Sequence, residues 1–191
     1  GDRTSHIGTT PQVGVGVGIY SSSNITINGA KISDCWSDGI YVGRSTTNIP
    51  SKNILIKNSS AKNNRRSGIT ITTADGLKIE DSYAGYSKGA LPEAGINLEP
   101  NTSVDELKNI TITNATTEYN AGNGIQMGLS NLYGGGSKTV SISFINQVDN
   151  GSYRGFYNTC FIKKRVGSEK ITGNIYITNP VWKKNPANPL A

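Results

Sequence analysis

Two short phrases of alternating apolar and polar residues recur along the chain. The first opens on glycine followed by a large apolar residue: GIYV at 39–42, GITI at 68–71, GINL at 95–98 and GIQM at 124–127, with Gly18-Ile19 before them and Gly155-Phe156 after. Ile40 and Val42 point one way and Tyr41 the other, the period of a half-buried strand. The second phrase is NITING at 24–29, NILIKN at 53–58, LKIEDS at 77–82, NITITN at 109–114, TVSISF at 139–144 and NIYITN at 174–179. It alternates too, with Ile110 and Ile112 opposed to Thr111. The glycines are spaced by 21, 29, 27, 29 and 31 residues, which marks an internal repeat whose unit holds two short strands. No segment sustains a helical i, i+3, i+4 pattern, and Asp105–Lys108 is the only short run of helix formers.

A leucine-rich repeat would need an L-x-x-L-x-L frame, which is missing. A parallel β-helix explains the pattern better: each Gly-Ile strand lies on that of the next coil, about 4.8 Å away, and unequal spacings become loops of unequal length. The expected interior file is Ile19, Ile40, Ile69, Ile96, Ile125 and Phe156, with Tyr41, Asn97 and Gln126 outside. Composition agrees: 191 residues with 35% hydrophobic residues and 23 glycines make a thin globular core. A solenoid tolerates that, because each coil buries a few aliphatic side chains against its neighbours. No apolar window approaches the length of a membrane span, so no membrane partner is expected.

Four longer motifs go further: GDRTSHIGT at 1–9, SDCWSDGIYVG at 33–43, NNRRSGI at 63–69 and PEAGINLEPN at 92–101. Through them the chain resembles the pectate lyase-like right-handed β-helices over most of residues 1–128. The resemblance implies an all-β, single-stranded, right-handed parallel β-helix of about six coils over residues 1–180. A tail over 181–191, whose stretch from Pro180 holds three prolines, is expected to be irregular. The family's usual N-terminal coils and cap are expected to lie before Gly1. Relatives in this fold include hydrolases, lyases, epimerases and phage tailspikes. The implied function is a polysaccharide hydrolase or lyase acting on an acidic glycan, outside the cell or on a virion surface. The alternatives are a phage tailspike or fibre domain, a homotrimer in that case, and a non-catalytic structural solenoid.

Charge adds a direction. Nineteen Lys and Arg against thirteen Asp and Glu give a formal net charge of +6, gathered in Lys52–Arg66, at 163–165 and at Lys183–Lys184. Such clusters attract polyanions; no nucleic-acid module is present, and the resemblance implies an acidic polysaccharide rather than nucleic acid as the polyanion. Cys35 and Cys160 stand four coils apart, about 19 Å of stacking, and are expected to be free thiols. The Asn-x-Ser/Thr sequences at Asn24, Asn58, Asn101, Asn109, Asn114 and Asn150 read as corner asparagines before β-branched strands. His6 is the only histidine, so multi-His metal sites are excluded and no cofactor is expected. Calcium stays open only through Asp side chains gathered by stacking. Asp2, Arg3 and His6, in the GDRTSH motif, are substrate-binding candidates whose plainer role is turn hydrogen bonding.

Stacking turns sequence offsets into ladders. Asp38 and Glu93 are expected two coils apart, roughly 10 Å along the axis, with Arg65 and Arg66 in the coil between. Inverting glycosidases hold their carboxyls about 6.5–9.5 Å apart. Asp38 and Glu93 are therefore the candidate acid and base, with Glu99, held extended by Pro100, at the edge of the same face. An intervening arginine would hold a sugar carboxylate. Tyr41 is the candidate platform, Trp36 a further stacking candidate and Asn97 a polar substrate-binding candidate on the same outward ladder as Tyr41. Polygalacturonases, which the fold resembles, carry a further paired Asp-Asp turn; only the SDG at 37–39 matches, since Val17 and Ser67 occupy the neighbouring coils.

Overall fold

The computed structural model describes residues 2–4, 13–158 and 169–183. His6 and Cys160 lie outside them. The described residues wind into six coils of three strands each. They are β1 (Val17–Tyr20), β2 (Ser23–Asn28), β3 (Lys31–Ser33); β4 (Ile40–Gly43), β5 (Ser51–Lys57), β6 (Ser60–Lys62); β7 (Ile69–Ile71), β8 (Ala74–Glu80), β9 (Tyr83–Gly85); β10 (Ile96–Leu98), β11 (Leu107–Thr113), β12 (Thr116–Glu118); β13 (Asn123–Met127), β14 (Lys138–Ile145), β15 (Val148–Asn150); β16 (Arg154–Asn158), β17 (Ile171–Thr178) and β18 (Val181–Lys183). Like strands of successive coils pair in parallel, making three six-stranded sheets. The fold is the expected parallel β-helix.

The third strand of each coil is the element the two-phrase reading missed. It is only three residues long, with a single inward side chain: Ile32, Ala61, Ala84, Thr117, Asp149 and Trp182 share one register. Three residues are too few for alternation to stand out. Its signal is the corner before it, where Gly29, Asn58, Asp81, Asn114, Asn146 and Asn179 all hold positive φ. Asn and Asp tolerate that conformation better than other side chains. The stacked amides bond across coils, Asn58 to Asn28, Asn114 to Asp81, Asn146 to Asn114 and Asn179 to Asn146. A second corner file, inside the second sheet, runs through Asn24, Asn53 and Asn109. The corner reading of Asn24, Asn58, Asn109 and Asn114 thus has a structural basis. The sixth coil completes itself with β18, so a strand occupies Val181–Lys183, where an irregular tail was expected; its backbone is held by β15, Val181 N–H donating to the Gln147 carbonyl at 2.7 Å.

Inside, Ile40, Ile69, Ile96 and Ile125 form one file, with Phe156 half-buried at its end. The expected register slips in the first coil. Val17, not Ile19, lies beside Ile40, and Ile19 lies beside Val42 in the next file. In GVGVGI a shift of two residues leaves every side chain on its own face, so alternation alone cannot separate the two registers. The first glycine of the repeat is therefore Gly16.

The repeated glycine has a steric cause. A Cβ at Gly16, Gly39, Gly68, Gly95 or Gly124 would stand 2.7 Å from the carbonyl oxygen of the corresponding glycine one coil on. The same contact region carries the ladder bond, Ile40 N–H to Gly68 O at 2.9 Å and Ile69 N–H to Gly95 O at 2.9 Å. A side chain there would wedge the coils apart. Gly68→Ala, with a Cβ also 2.7 Å from the Ala84 Cβ, is expected to destabilise the fold by about 1–3 kcal/mol. Urea unfolding checks it, and an unchanged midpoint would refute the close-approach account.

Candidate functional site

The outer face of the first sheet carries the site, because the loops that follow its strands differ in length. Coils 1 and 3 pass to the next strand in two residues, whereas coil 2 uses Arg44–Pro50 and coil 4 uses Glu99–Glu106. These two loops are tied together across the intervening coil. Arg44 Nε donates to Asp105 Oδ1 at 2.7 Å, and Arg44 Nη2 to Thr102 Oγ1 at 3.0 Å. Buried Asp105 also accepts from the backbone N–H groups of Asn101 and Thr102, both at 2.8 Å. Neither Arg44 nor Asp105 was singled out from sequence; their loop lengths were the available signal. The clasp sets Asn101 over the sheet, where its Nδ2 donates to the Tyr41 hydroxyl at 3.1 Å.

The result is a cleft of 260 Å³ walled by Tyr20, Tyr41, Asp38, Arg66, Thr72 and Asn101. Its aromatic wall depends on glycine. A Cβ on Gly18 would meet the Tyr20 ring at 2.4 Å, and one on Gly43 the Tyr41 ring at 2.6 Å, so each ring lies over the bare backbone two residues away. The two rings meet with centroids 5.5 Å apart. Tyr41 also donates to Thr72 Oγ1 at 3.3 Å.

Asp38 sits at the bottom with a side chain only 2% exposed. Its Oδ1 accepts from Thr70 Oγ1 at 2.8 Å and its Oδ2 from Ser37 Oγ at 3.2 Å. Arg66 Nη1 adds bonds at 3.3 and 3.1 Å to the two oxygens. Burial pushes the Asp38 pKa up, against the opposing pull of Arg66 and the hydroxyls. The other end of the same guanidinium, Nη2, donates to Glu99 Oε2 at 3.1 Å. Glu99 is 38% exposed and accepts a second bond from Asn97 Nδ2 at 2.9 Å. One guanidinium holding both places the two carboxylates within about 9 Å, inside the span over which carboxyl pairs act on a glycosidic bond.

The pairing differs from the expected Asp38–Arg66–Glu93 ladder. Asp38 directly precedes its glycine, whereas Glu93 stands two places before Gly95. One residue of offset turns a side chain to another direction. Glu93 instead accepts the Gly89 N–H at 2.6 Å within the long connection between β9 and β10. Glu99 takes its place because it continues the outward alternation of Asn97 along β10. Asn97, expected outside, is 0% exposed: its side chain leaves the core but lies beneath the Arg66–Glu99 pair. Thr70 is buried in the same way under Asp38. Tyr41 and Gln126 are half-buried.

The remaining candidates gather elsewhere. The Arg65 guanidinium lies 4.1 Å from the centre of the Trp36 ring, a cation–π pair away from the cleft. Arg3 binds the Asn63 side chain and backbone and the Lys88 carbonyl, fastening the first residues to the third corner. Asp2 accepts from the Thr4 amide and hydroxyl at 2.8 Å, a local turn. Among the described residues, no group of three or more His, Cys, Asp or Glu side chains is placed to hold a metal, and no helix is long and apolar enough to cross a membrane. Cys35 is buried and free, its thiol pKa raised by that burial.

The three parallel sheets define the class of protein, a parallel β-solenoid. The family described as right handed beta helix region matches residues 15–179, and the chain belongs to that family. Two Bacillus subtilis (strain 168) proteins are similar. One is the uncharacterized protein YclG, 34% identical over 113 residues, covering 52% of this chain and 19% of YclG. The other is the SPbeta prophage-derived uncharacterized protein YorA, 30% identical over 107 residues, covering 51% of this chain and 17% of YorA. The matches thus span less than a fifth of either relative. No solved structure matches the chain.

Proposed function

We propose that this protein is a polysaccharide depolymerase that binds an acidic glycan along the outer face of the first sheet and cleaves it beside Asp38 and Glu99. The observation that carries the reading is the shared guanidinium: Arg66 joins a buried carboxyl with a raised pKa, in the cleft walled by two tyrosine rings, to a solvent-reached carboxylate that borders the adjoining cleft. Asp38 holds its proton to higher pH than an ordinary carboxyl and donates it to the leaving glycosidic oxygen. Glu99 takes a proton from the attacking water. Arg66 exchanges part of its contact with the two carboxylates for a sugar carboxylate, which it binds as a fork. The tyrosines supply stacking surface for the sugar rings.

The test is a panel of acidic polysaccharides scored for new reducing ends and, separately, for the absorbance of unsaturated sugars. Reducing ends without unsaturated product are expected, and their loss in Glu99→Gln with the fold retained assigns the base. Unsaturated product would replace hydrolysis by elimination. Neither product from any acidic glycan would remove the enzyme reading.

YorA supports a second reading by its prophage origin. A phage tailspike or fibre would use the same cleft to hold a host surface glycan at the virion surface. A trimeric mass in light scattering would favour it; a monomer would count against it.

A further inference from the structure

A second cleft, of 450 Å³, opens on the far side of Arg66 from the first and is bordered by Glu93, Glu99, Asn123, Gln126, Tyr153 and Arg154. Arg66 lines both. The first cleft lies over coils 1–3, closed by Asn101 from the loop of coil 4, and the second runs from Arg66 over coils 4–6, so together they follow one face of the first sheet along the solenoid axis. Arg154 dominates the far end. Its guanidinium lies 4.6 Å from the Tyr153 ring centre and 4.7 Å from that of Tyr157, between two aromatic faces. No carboxylate among the described residues is paired with it. Arg44 and Arg66, which tie neighbouring coils together, are by contrast each paired with an acid. Arg154 is oriented by two rings and offers its donors to solvent, as an anion site does.

The neighbouring side chains match a sugar rather than a free ion. Asn123, one coil before Arg154 in the paired register, is 5% exposed; its Nδ2 donates to Gln126 Oε1 at 2.7 Å, while its Oδ1 has no partner. A buried carbonyl oxygen left unpaired costs free energy that a hydroxyl donor recovers. Half-buried Gln126 spends its oxygen on that bond and keeps amide hydrogens for an acceptor. Tyr153 adds an exposed ring.

We infer that the second cleft is a separate subsite for an acidic sugar, with Arg154 binding its carboxylate or sulfate and Asn123 its hydroxyl. This rests on the glycan reading of the first cleft and extends it. The two sites lie several coils apart, Asp38 in the second and Arg154 in the sixth, about 19 Å along the axis at about 4.8 Å per coil. The ligand is therefore an oligosaccharide long enough to cross Arg66, and a disaccharide reaches only one cleft.

The experiment titrates the whole chain with carboxylated, sulfated and neutral oligosaccharides, each as disaccharide and hexasaccharide, by calorimetry. The acidic hexasaccharide is expected to bind more tightly than the disaccharide, and Arg154→Ala to weaken it by about tenfold, with a loss that shrinks at high salt. Lys78→Ala, which removes the same charge from the second sheet, serves as the control and should leave that affinity unchanged. A preference between carboxylated and sulfated ligands names the anion. Equal loss in Lys78→Ala reduces the effect to net charge and overturns the subsite. Full hexasaccharide affinity in Arg154→Ala also overturns it, while an accompanying loss in Arg66→Ala leaves the first cleft standing. Neutral and acidic chains binding alike overturns the anion assignment, and no binding by any acidic chain removes both readings.

Discussion

Asp38→Asn is expected to lower glycan turnover by about 10²–10⁴-fold with the solenoid intact, because it deletes the proton that the leaving oxygen needs. The geometry survives the change: an amide oxygen still accepts from Thr70, and Arg66 keeps Glu99. The wild-type protein should lose turnover as pH rises through the Asp38 pKa, which burial sets above the ordinary carboxyl value. The linked stability has the same sign. A carboxyl with a folded pKa above its unfolded one favours the folded state when protonated, so its contribution is present below the unfolded value and lost as pH rises through the folded one. Asp38→Asn should flatten that part of the urea-unfolding profile while removing the alkaline limb of activity. Wild-type turnover in Asp38→Asn would reduce the bridge to a structural ion pair.

Ile69→Ala should cost about 2–5 kcal/mol. Ile69 is 1% exposed and lies between Ile40 and Ile96 in a file one side chain wide per coil, so its cavity is bordered by both neighbours. A solenoid has no second core layer to collapse into the space, and stability is shared only between adjacent coils. Ile177→Ala in the sixth coil, where the side chain is 39% exposed, should cost far less. Urea midpoints of the two variants compare them directly; equal losses would mean that the central file is not the main source of stability.

Much of the architecture was legible because strand alternation and glycine recurrence are local. The Ile40–Ile125 file follows from offsets to a glycine that sterics demand at each coil. Two errors have the same origin, a pattern with too little information. GVGVGI reads equally well in registers two residues apart, and only pairing with β4 selects Gly16 as the partner of Gly39. The third strands contribute one inward side chain each, below what alternation can reveal. At the site, Asp38, Arg66 and Tyr41 were placed on one face by stacking alone. Glu93 was not, because the connection before β10 is longer than its counterparts and turns that carboxylate towards the Gly89 amide.

The sequence by itself determined the coil, its corners and the face on which charge and tyrosine accumulate, since each depends on residue type at a repeated offset. Tertiary structure decided which charges meet. The Arg66 guanidinium joins residues 38 and 99, and Arg44 joins the loops of coils 2 and 4 through Asp105. Those choices depend on how far each loop reaches across a neighbouring coil. Loop reach is set by packing between coils, and no period in the chain encodes it.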